Sequence, residues 1–253
     1  MLPLFKSHYS IGKSILTLND PEKDTADGAD SIFSIAQENK LEQLYLIEDS
    51  LIGFLQANKL AQKIGLQLIF GLRISVTHKK SSDKKDDFAC SHKIVVFAKN
   101  DSGCKLLNKI YSKAFCDGEG TILNDDLKKL WAEDDLMLCI PFYDSFIFMN
   151  TLHFCTCIPN FSFTTPTFFI EDNLLPFDFI VKNKVIKYCK EYKYKTLLTK
   201  SIYYKDRSDF EAYQTYKCIC QKKTKQRTLN VPNIDHLGSS EFCMESFLEN
   251  ESS

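Results

Sequence analysis

The segment LYLIEDSLIGFLQANKLAQKIGLQLIF, residues 44–70, decides the fold because it contains a strand, a helix and a second strand in direct succession. Its first four residues form an apolar run typical of a buried strand, and the run stops at Glu48 and Asp49. Over residues 50–64 the apolar positions recur every three or four residues, which predicts a helix that ends at Gly65. Two buried strands joined by a helix favour parallel pairing, and ligands of such folds bind at the carboxyl ends of the strands.

The same alternation of strand and helix patterns continues along the chain. Strands are predicted at 2–8, 66–76, 93–99, 135–142, 166–172 and 194–200, and helices at 30–41, 101–115, 123–131, 177–192 and 207–221. Asp30 or Ser31 is the predicted cap of the first helix, and Asn124 that of a later one. Together these patterns predict one α/β domain, residues 1–253, built on a parallel sheet or barrel. Residues 77–91 are predicted to form an exposed charged loop.

Composition places the chain among ordinary globular proteins. It has 253 residues, 44% of them hydrophobic, and a formal net charge of −1, which gives no global attraction to polyanions. The N-terminal residues lack the apolar core of a signal peptide, and no run reaches the roughly 18 apolar residues that a membrane span needs. A cytoplasmic location and no membrane partner are therefore expected.

The 10 cysteines show no disulfide framework spacing and lie in apolar stretches, which favours reduced, buried thiols. The pairs in FCTCI and KCICQ have one intervening residue instead of the two to four usual for zinc, so buried structural cysteines are favoured over a four-thiolate site. Single histidines at element boundaries are more often packed than metal-bound. The residues concerned are Cys155, Cys157, Cys218, Cys220, His92 and His153.

Five segments resemble, in the same order, the polymerase-and-histidinol-phosphatase (PHP) domain of bacterial DNA polymerase III alpha subunits. They are FKSHYS at 5–10, the second and third strand units, which together span 41–76, HKIVVFAKNDSGCKLLNKIYSKAF at 92–115, and KTLLTKSIYYKDRSDFEAYQTYKCICQKKT at 195–224. The stretch from Gly238 to Ser253 also resembles the family's sequence just before the polymerase palm and thumb. The resemblance covers nearly the whole chain and implies a distorted (β/α)7 barrel. An active PHP domain holds divalent metals on histidines and carboxylates at its strand ends, and these metals activate water towards a phosphoester.

The resemblance places poor ligands at most of these metal positions. The first motif falls on Leu4, Lys6 and His8, and the second retains two carboxylates, Glu48 and Asp49. Glu171 follows another strand, and the remaining positions fall on Arg73, Ser201 and Tyr203. A vestigial, non-catalytic cleft without a metal cofactor is therefore expected. We further expect salt bridges among Lys6, Glu48, Asp49 and Arg73 to replace the metal cluster.

The resemblance implies a non-catalytic PHP domain of a DNA polymerase III alpha-like replicative polymerase. Its expected partners are the polymerase core, on the same or another chain, and a proofreading exonuclease subunit, with DNA contacted indirectly. Residues 228–253 are expected to lead towards a polymerase core.

Two other functions compete with this one. The first is a metal-dependent phosphoesterase or 3′–5′ exonuclease that uses zinc or manganese on His8, Glu48, Asp49 and Glu171. The second is an interaction module unrelated to replication. The run KKTKQR at 222–227 is more typical of a solvated loop, and phosphate contact is the alternative for its basic residues, Lys222, Lys223, Lys225 and Arg227.

Overall fold

A computed structural model describes residues 1–23, 25, 28–77, 91–118, 120–153, 155–220 and 238–252. The strands are β1 (Leu2–Phe5), β2 (Gln43–Glu48), β3 (Gln67–Thr77), β4 (His92–Ala98), β5 (Thr121–Leu123), β6 (Leu136–Ile140), β7 (Thr167–Ile170) and β8 (Lys195–Ile202). The helices are α1 (Ile32–Glu38), α2 (Phe54–Ile64), α3 (Asp101–Asp117), α4 (Asn124–Lys129), α5 (Phe146–Leu152), α6 (Asp178–Tyr192), α7 (Phe210–Cys220) and α8 (Met244–Ser252). Short 3-10 helices occur at Pro21–Lys23 and Arg207–Asp209.

The strands form one mixed sheet with the order β2-β1-β8-β7-β6-β4-β3-β5. An additional pairing between β2 and β3 closes seven of them into a barrel, and β5 lies outside that ring. The predicted α/β barrel class is therefore confirmed at this level. The all-parallel arrangement is wrong, because β4 runs antiparallel to both β3 and β6.

The residues divide into two compact units. The first unit comprises Met1–Phe70, Glu171–Asp178 and Thr199–Ser253, and the second comprises Gly71–Ile170 and Phe179–Leu198.

The core of the first unit contains side chains that lie side by side on the parallel strands β1, β2 and β8. In the register of β1 with its two neighbours, Phe5 lies beside Leu46 of β2 and Ile202 of β8. These three side chains are fully buried and belong to one hydrophobic cluster with Phe33 of α1 and Ala57 of α2. Leu4 points to the other face, next to Tyr45 and Ser201 in the register, because side chains alternate along a strand.

The core of the second unit combines a sheet and an aromatic cluster. α3 packs against β4 and β6 through its buried side chains, including Leu107 and Ile110. The buried ring of Phe146, the first residue of α5, lies 6.2 Å from Phe168 of β7 and 5.2 Å from Tyr188 of α6. Aromatic rings therefore join α5 and α6 to this sheet.

Two of the predicted helix signals are confirmed and one is wrong. Ser31 caps α1 by accepting a hydrogen bond from the Phe33 N–H, and Gly65 ends α2 in the left-handed conformation with φ 72°. Asn124 is the first residue of α4 instead of its cap, because β5 runs up to Leu123 and leaves no separate cap residue. Three elements were not predicted, namely β5, α5 and α8.

Across the described residues, none of the helices has the length and apolar character needed to cross a membrane. Most of the predicted loop at 77–91 lies outside the described residues, which stop at 77 and resume at 91.

Candidate functional site

Glu48 ends β2 and is fully buried, and both of its carboxylate oxygens accept hydrogen bonds. Oε1 accepts from the backbone N–H of Ser7 at 2.8 Å, and Oε2 accepts from the hydroxyl of Ser10. The same Ser10 oxygen accepts from the backbone N–H of Asp49 at 2.9 Å. The turn that follows β1 brings these serines to the carboxylate, and the bond from Ser10 N–H to the Ser7 carbonyl closes that turn.

Lys6 supplies the positive charge beside this carboxylate. Its Nζ donates to Oδ1 of Asp49 at 2.9 Å, and the residue is only 5% exposed. The predicted ion pair between Lys6 and Asp49 is therefore present. Burial raises the pKa of Glu48, while the charge of Lys6 and the hydrogen bonds from the two serines lower it, and the net shift is upward.

Glu171 follows β7 and has a similar environment. Oε2 accepts from the backbone N–H of Ser201 at 3.0 Å and from Asn173 Nδ2 at 3.0 Å, and Oε1 accepts from the Ser201 hydroxyl at 2.8 Å. Burial raises the pKa of Glu171, and these hydrogen bonds and the charge of Lys200 oppose the rise. Ser201, one of the residues of the predicted vestigial cleft, is here a donor to a carboxylate.

Lys200 is a buried cation that the sequence did not single out. It is 1% exposed, and its Nζ donates to the carbonyl oxygen of Asp172 at 3.2 Å. Burial lowers the pKa of Lys200, and the charges of Glu241 and Glu171 raise it. Its place beside Ser201 in β8 could have indicated a charge near the strand end.

The other first-unit positions of the predicted cleft are occupied by packing contacts. His8 Nδ1 lies 3.3 Å from the Leu16 carbonyl oxygen, and the His8 backbone N–H donates to that oxygen at 2.8 Å. The ring of Tyr203, a residue only 7% exposed, is nearly parallel to that of Phe242 at 5.3 Å. Leu4 is buried and has no donor atom in its side chain.

Arg73 belongs to the second unit, in β3. Its Nη2 forms an ion pair with Oδ2 of Asp144, and Arg73 is 8% exposed. Asp144 was not predicted from the sequence. It follows the predicted strand at 135–142, and its position just after a strand could have identified it as a candidate. It adopts a positive φ of 61°, a conformation that aspartate tolerates better than most residues.

The cysteines that were weighed as zinc ligands belong to different units of the chain. Cys155 and Cys157 belong to the second unit, and Cys218 and Cys220 lie in α7 of the first. All nine cysteines in the described part of the chain are free thiols; four are buried, and Cys104 and Cys116 are exposed, which corrects the expectation that all are buried. Cys157 Sγ lies 3.9 Å from His92 Nδ1, so that histidine is packed, as predicted.

The donor set does not fit a divalent metal cluster. Lys6 places an ammonium group next to Asp49, and N–H and O–H donors occupy both oxygens of Glu48. Within the described ranges, no three His, Cys, Asp or Glu side chains group closely enough to share an ion. The basic run at 222–227 lies outside the described residues, which resume at 238.

Comparison with known proteins gives no match, either among models of protein families or among curated proteins.

Proposed function

We propose that the chain acts as a non-catalytic PHP-like domain of a DNA polymerase III alpha-like replicative DNA polymerase. Its role is to support the polymerase core and to provide a docking surface for that core or for a proofreading exonuclease. The ordered resemblance of five segments motivates the proposal, and an α/β barrel is compatible with it. A (β/α)7 barrel of the PHP type is part of the proposal.

The observation that carries the non-catalytic assignment is the Lys6–Asp49 ion pair beside the carboxylate of Glu48, each of whose oxygens accepts a hydrogen bond. A divalent ion bound to Asp49 at about 2 Å would lie within roughly 5 Å of the Lys6 ammonium, which approaches the same oxygen to 2.9 Å. At an effective dielectric constant of ~20 the repulsion between these charges is about 7 kcal/mol. Lys6 therefore acts against the metal that the resembled chemistry needs.

A nuclease assay tests the absence of catalysis. The purified chain is incubated with end-labelled single-stranded and double-stranded DNA, with either Mn²⁺ or Zn²⁺ added. We expect no metal-stimulated release of nucleotides, and the same result for Glu48→Gln. Metal-dependent release that disappears in Glu48→Gln would instead establish the phosphoesterase or 3′–5′ exonuclease alternative.

The scaffold role has a separate test. The native reading frame, or a frame expressed with it, should encode a polymerase palm, and that polymerase should bind this chain when both are purified. Specific binding to neither that polymerase nor its exonuclease would contradict the scaffold role and favour an interaction module unrelated to replication.

A further inference from the structure

The segment KNKVIKYCKEYKYK, residues 182–195, is strongly basic in a chain whose net charge is −1. It contains six lysines and one acidic residue, Glu191, so its net charge is +5. Most of it forms the last three turns of α6, and it continues into the first residue of β8. The second unit therefore carries a concentrated positive charge on one helix and the turn after it.

Most of the lysines of this segment are exposed to solvent. Five of them are exposed, and across the described residues none of these five forms an ion pair or a side-chain hydrogen bond. Elsewhere Lys63, Lys113 and Lys129 pair with neighbouring carboxylates. The exposed set comprises Lys184, Lys187, Lys190, Lys193 and Lys195.

Aromatic rings distinguish this basic surface from an ordinary solvated helix face. Phe168 is buried, and its ring lies 5.6 Å from Tyr194 at an interplanar angle of 24°. Tyr194 in turn lies 6.1 Å from Tyr192 at 11°. The three nearly parallel rings run from the core of the unit to its surface, where Tyr192 is 48% exposed.

A groove adjoins the exposed ring of Tyr192. It lies between α5 and α6, has a volume of about 370 Å³, and includes Lys184, Lys187, Tyr188 and Tyr192 in its wall. Asn150 of α5 also lines the groove, but its amide holds the backbone of Cys157: Nδ2 donates to the Cys157 carbonyl at 2.6 Å, and Oδ1 accepts from the Cys157 N–H at 3.0 Å. The volume is that of a small-ligand pocket, so the groove combines cations and aromatic rings in one place.

We propose that this surface binds single-stranded nucleic acid. Tyr192 stacks on an unpaired base, and Lys184 and Lys187 contact the flanking phosphates. Aromatic rings that stack bases, next to cations that follow the backbone, are the recurring features of proteins that bind single strands. A duplex offers no free base face to Tyr192, so the exposed ring favours an unpaired strand.

Fluorescence anisotropy with labelled dT20 and rU20 tests the proposal. We expect both strands to bind at 50 mM salt and to weaken at 200 mM, and the tighter of the two identifies the natural sugar. Tyr192→Ala should weaken binding roughly 5- to 150-fold, the range measured for loss of one stacked base, whereas Tyr192→Phe should keep the affinity.

Charge variants test the phosphate contacts. Lys184→Gln with Lys187→Gln should reduce the slope of log affinity against log salt by about 1.4, that is ~0.7 for each phosphate contact. Lys105→Gln with Lys109→Gln removes the same charge from exposed positions on α3, and it should leave the slope nearly unchanged. Glu191→Gln should strengthen binding because it removes the one carboxylate of the groove wall.

Three results would overturn the proposal. The first is no binding of either strand at 50 mM salt. The second is binding that Tyr192→Ala leaves unchanged, or that both lysine pairs weaken equally, since either result describes non-specific attraction. The third is binding of phosphatidylserine vesicles but of neither strand, which would assign the surface to a membrane. Unfolding midpoints equal to that of the parent chain confirm that each variant is folded.

Discussion

Replacing Lys6 with methionine removes the buried cation that pairs with Asp49 beside the carboxylate of Glu48. The Nζ of Lys6 lies 2.9 Å from Oδ1 of Asp49, so the Coulomb attraction is about 1.4 kcal/mol in water and about 6 kcal/mol at an effective dielectric constant of ~20. The Lys6 side chain is 6% exposed and that of Asp49 is 30% exposed, which places the pair between these limits. Removing one partner of a fully buried pair costs ~3–5 kcal/mol, and the partial exposure of Asp49 lowers our expectation for Lys6→Met to about 2–3 kcal/mol.

The stability that Lys6→Met loses should depend on pH in a known direction. Burial raises the folded-state pKa of Glu48, so the folded state binds that proton more tightly than the unfolded state does. The resulting stabilisation is fully present below the unfolded pKa and is lost as the pH rises through the folded pKa. Lys6 opposes this rise in pKa, and its removal widens the difference between the two states. Lys6→Met should therefore lose more stability at pH 8 than at pH 5.

Urea unfolding at these two pH values measures the effect. Lys63→Met is the matched control in the same unit, because Lys63 pairs with Asp20 at 2.8 Å but is 45% exposed, and it should change stability little at either pH. In a double-mutant cycle, Asp49→Asn should cost less in the Lys6→Met background than in the parent chain. A loss below about 1 kcal/mol for Lys6→Met, or an equal loss at both pH values, would refute the assignment of a buried ion-pair site.

Two further variants test the other buried charges. Ser201→Ala removes the hydroxyl that donates to Oε1 of Glu171 at 2.8 Å, and it should cost about 1–3 kcal/mol in urea unfolding, whereas Thr196→Ala at an exposed position of the same strand should cost much less. Asp144→Asn keeps a residue type that tolerates the positive φ of 61° but removes the charge that pairs with Arg73. It should destabilise the chain, and a stability equal to that of the parent would show that this pair contributes nothing.

Strands and helices could be predicted where residues close together in the sequence determine them. Residues 44–65 carry an apolar run, a helical period and a terminal glycine, and the structure has β2, α2 and the left-handed Gly65 in that order. β4 was wrongly predicted to be parallel to its neighbours, although the sequence before it indicated an antiparallel strand. The stretch between β3 and β4 shows no helical period, and a parallel return requires a crossover of a dozen or more residues that is usually a helix.

The site was less predictable because its interactions join distant parts of the chain. The resemblance indicated Lys6 and Asp49, but nothing in it indicated that Ser7 and Ser10 would occupy the oxygens of Glu48. These serines lie about 40 residues away in sequence, and only the parallel pairing of β1 with β2 brings them to the carboxylate.

The two buried carboxylates at strand ends accept hydrogen bonds in the same arrangement. Glu48 at the end of β2 accepts from a backbone N–H and a hydroxyl that follow the adjacent strand β1, and Glu171 after β7 accepts from the N–H and hydroxyl of Ser201 in the adjacent strand β8. Each has a lysine whose charge lowers its pKa. Donors in or next to the neighbouring strand therefore hold both oxygens of each buried carboxylate. Lys184, Lys187 and Lys190 of α6 have no comparable partners among the described residues, so their charge is available to an external ligand.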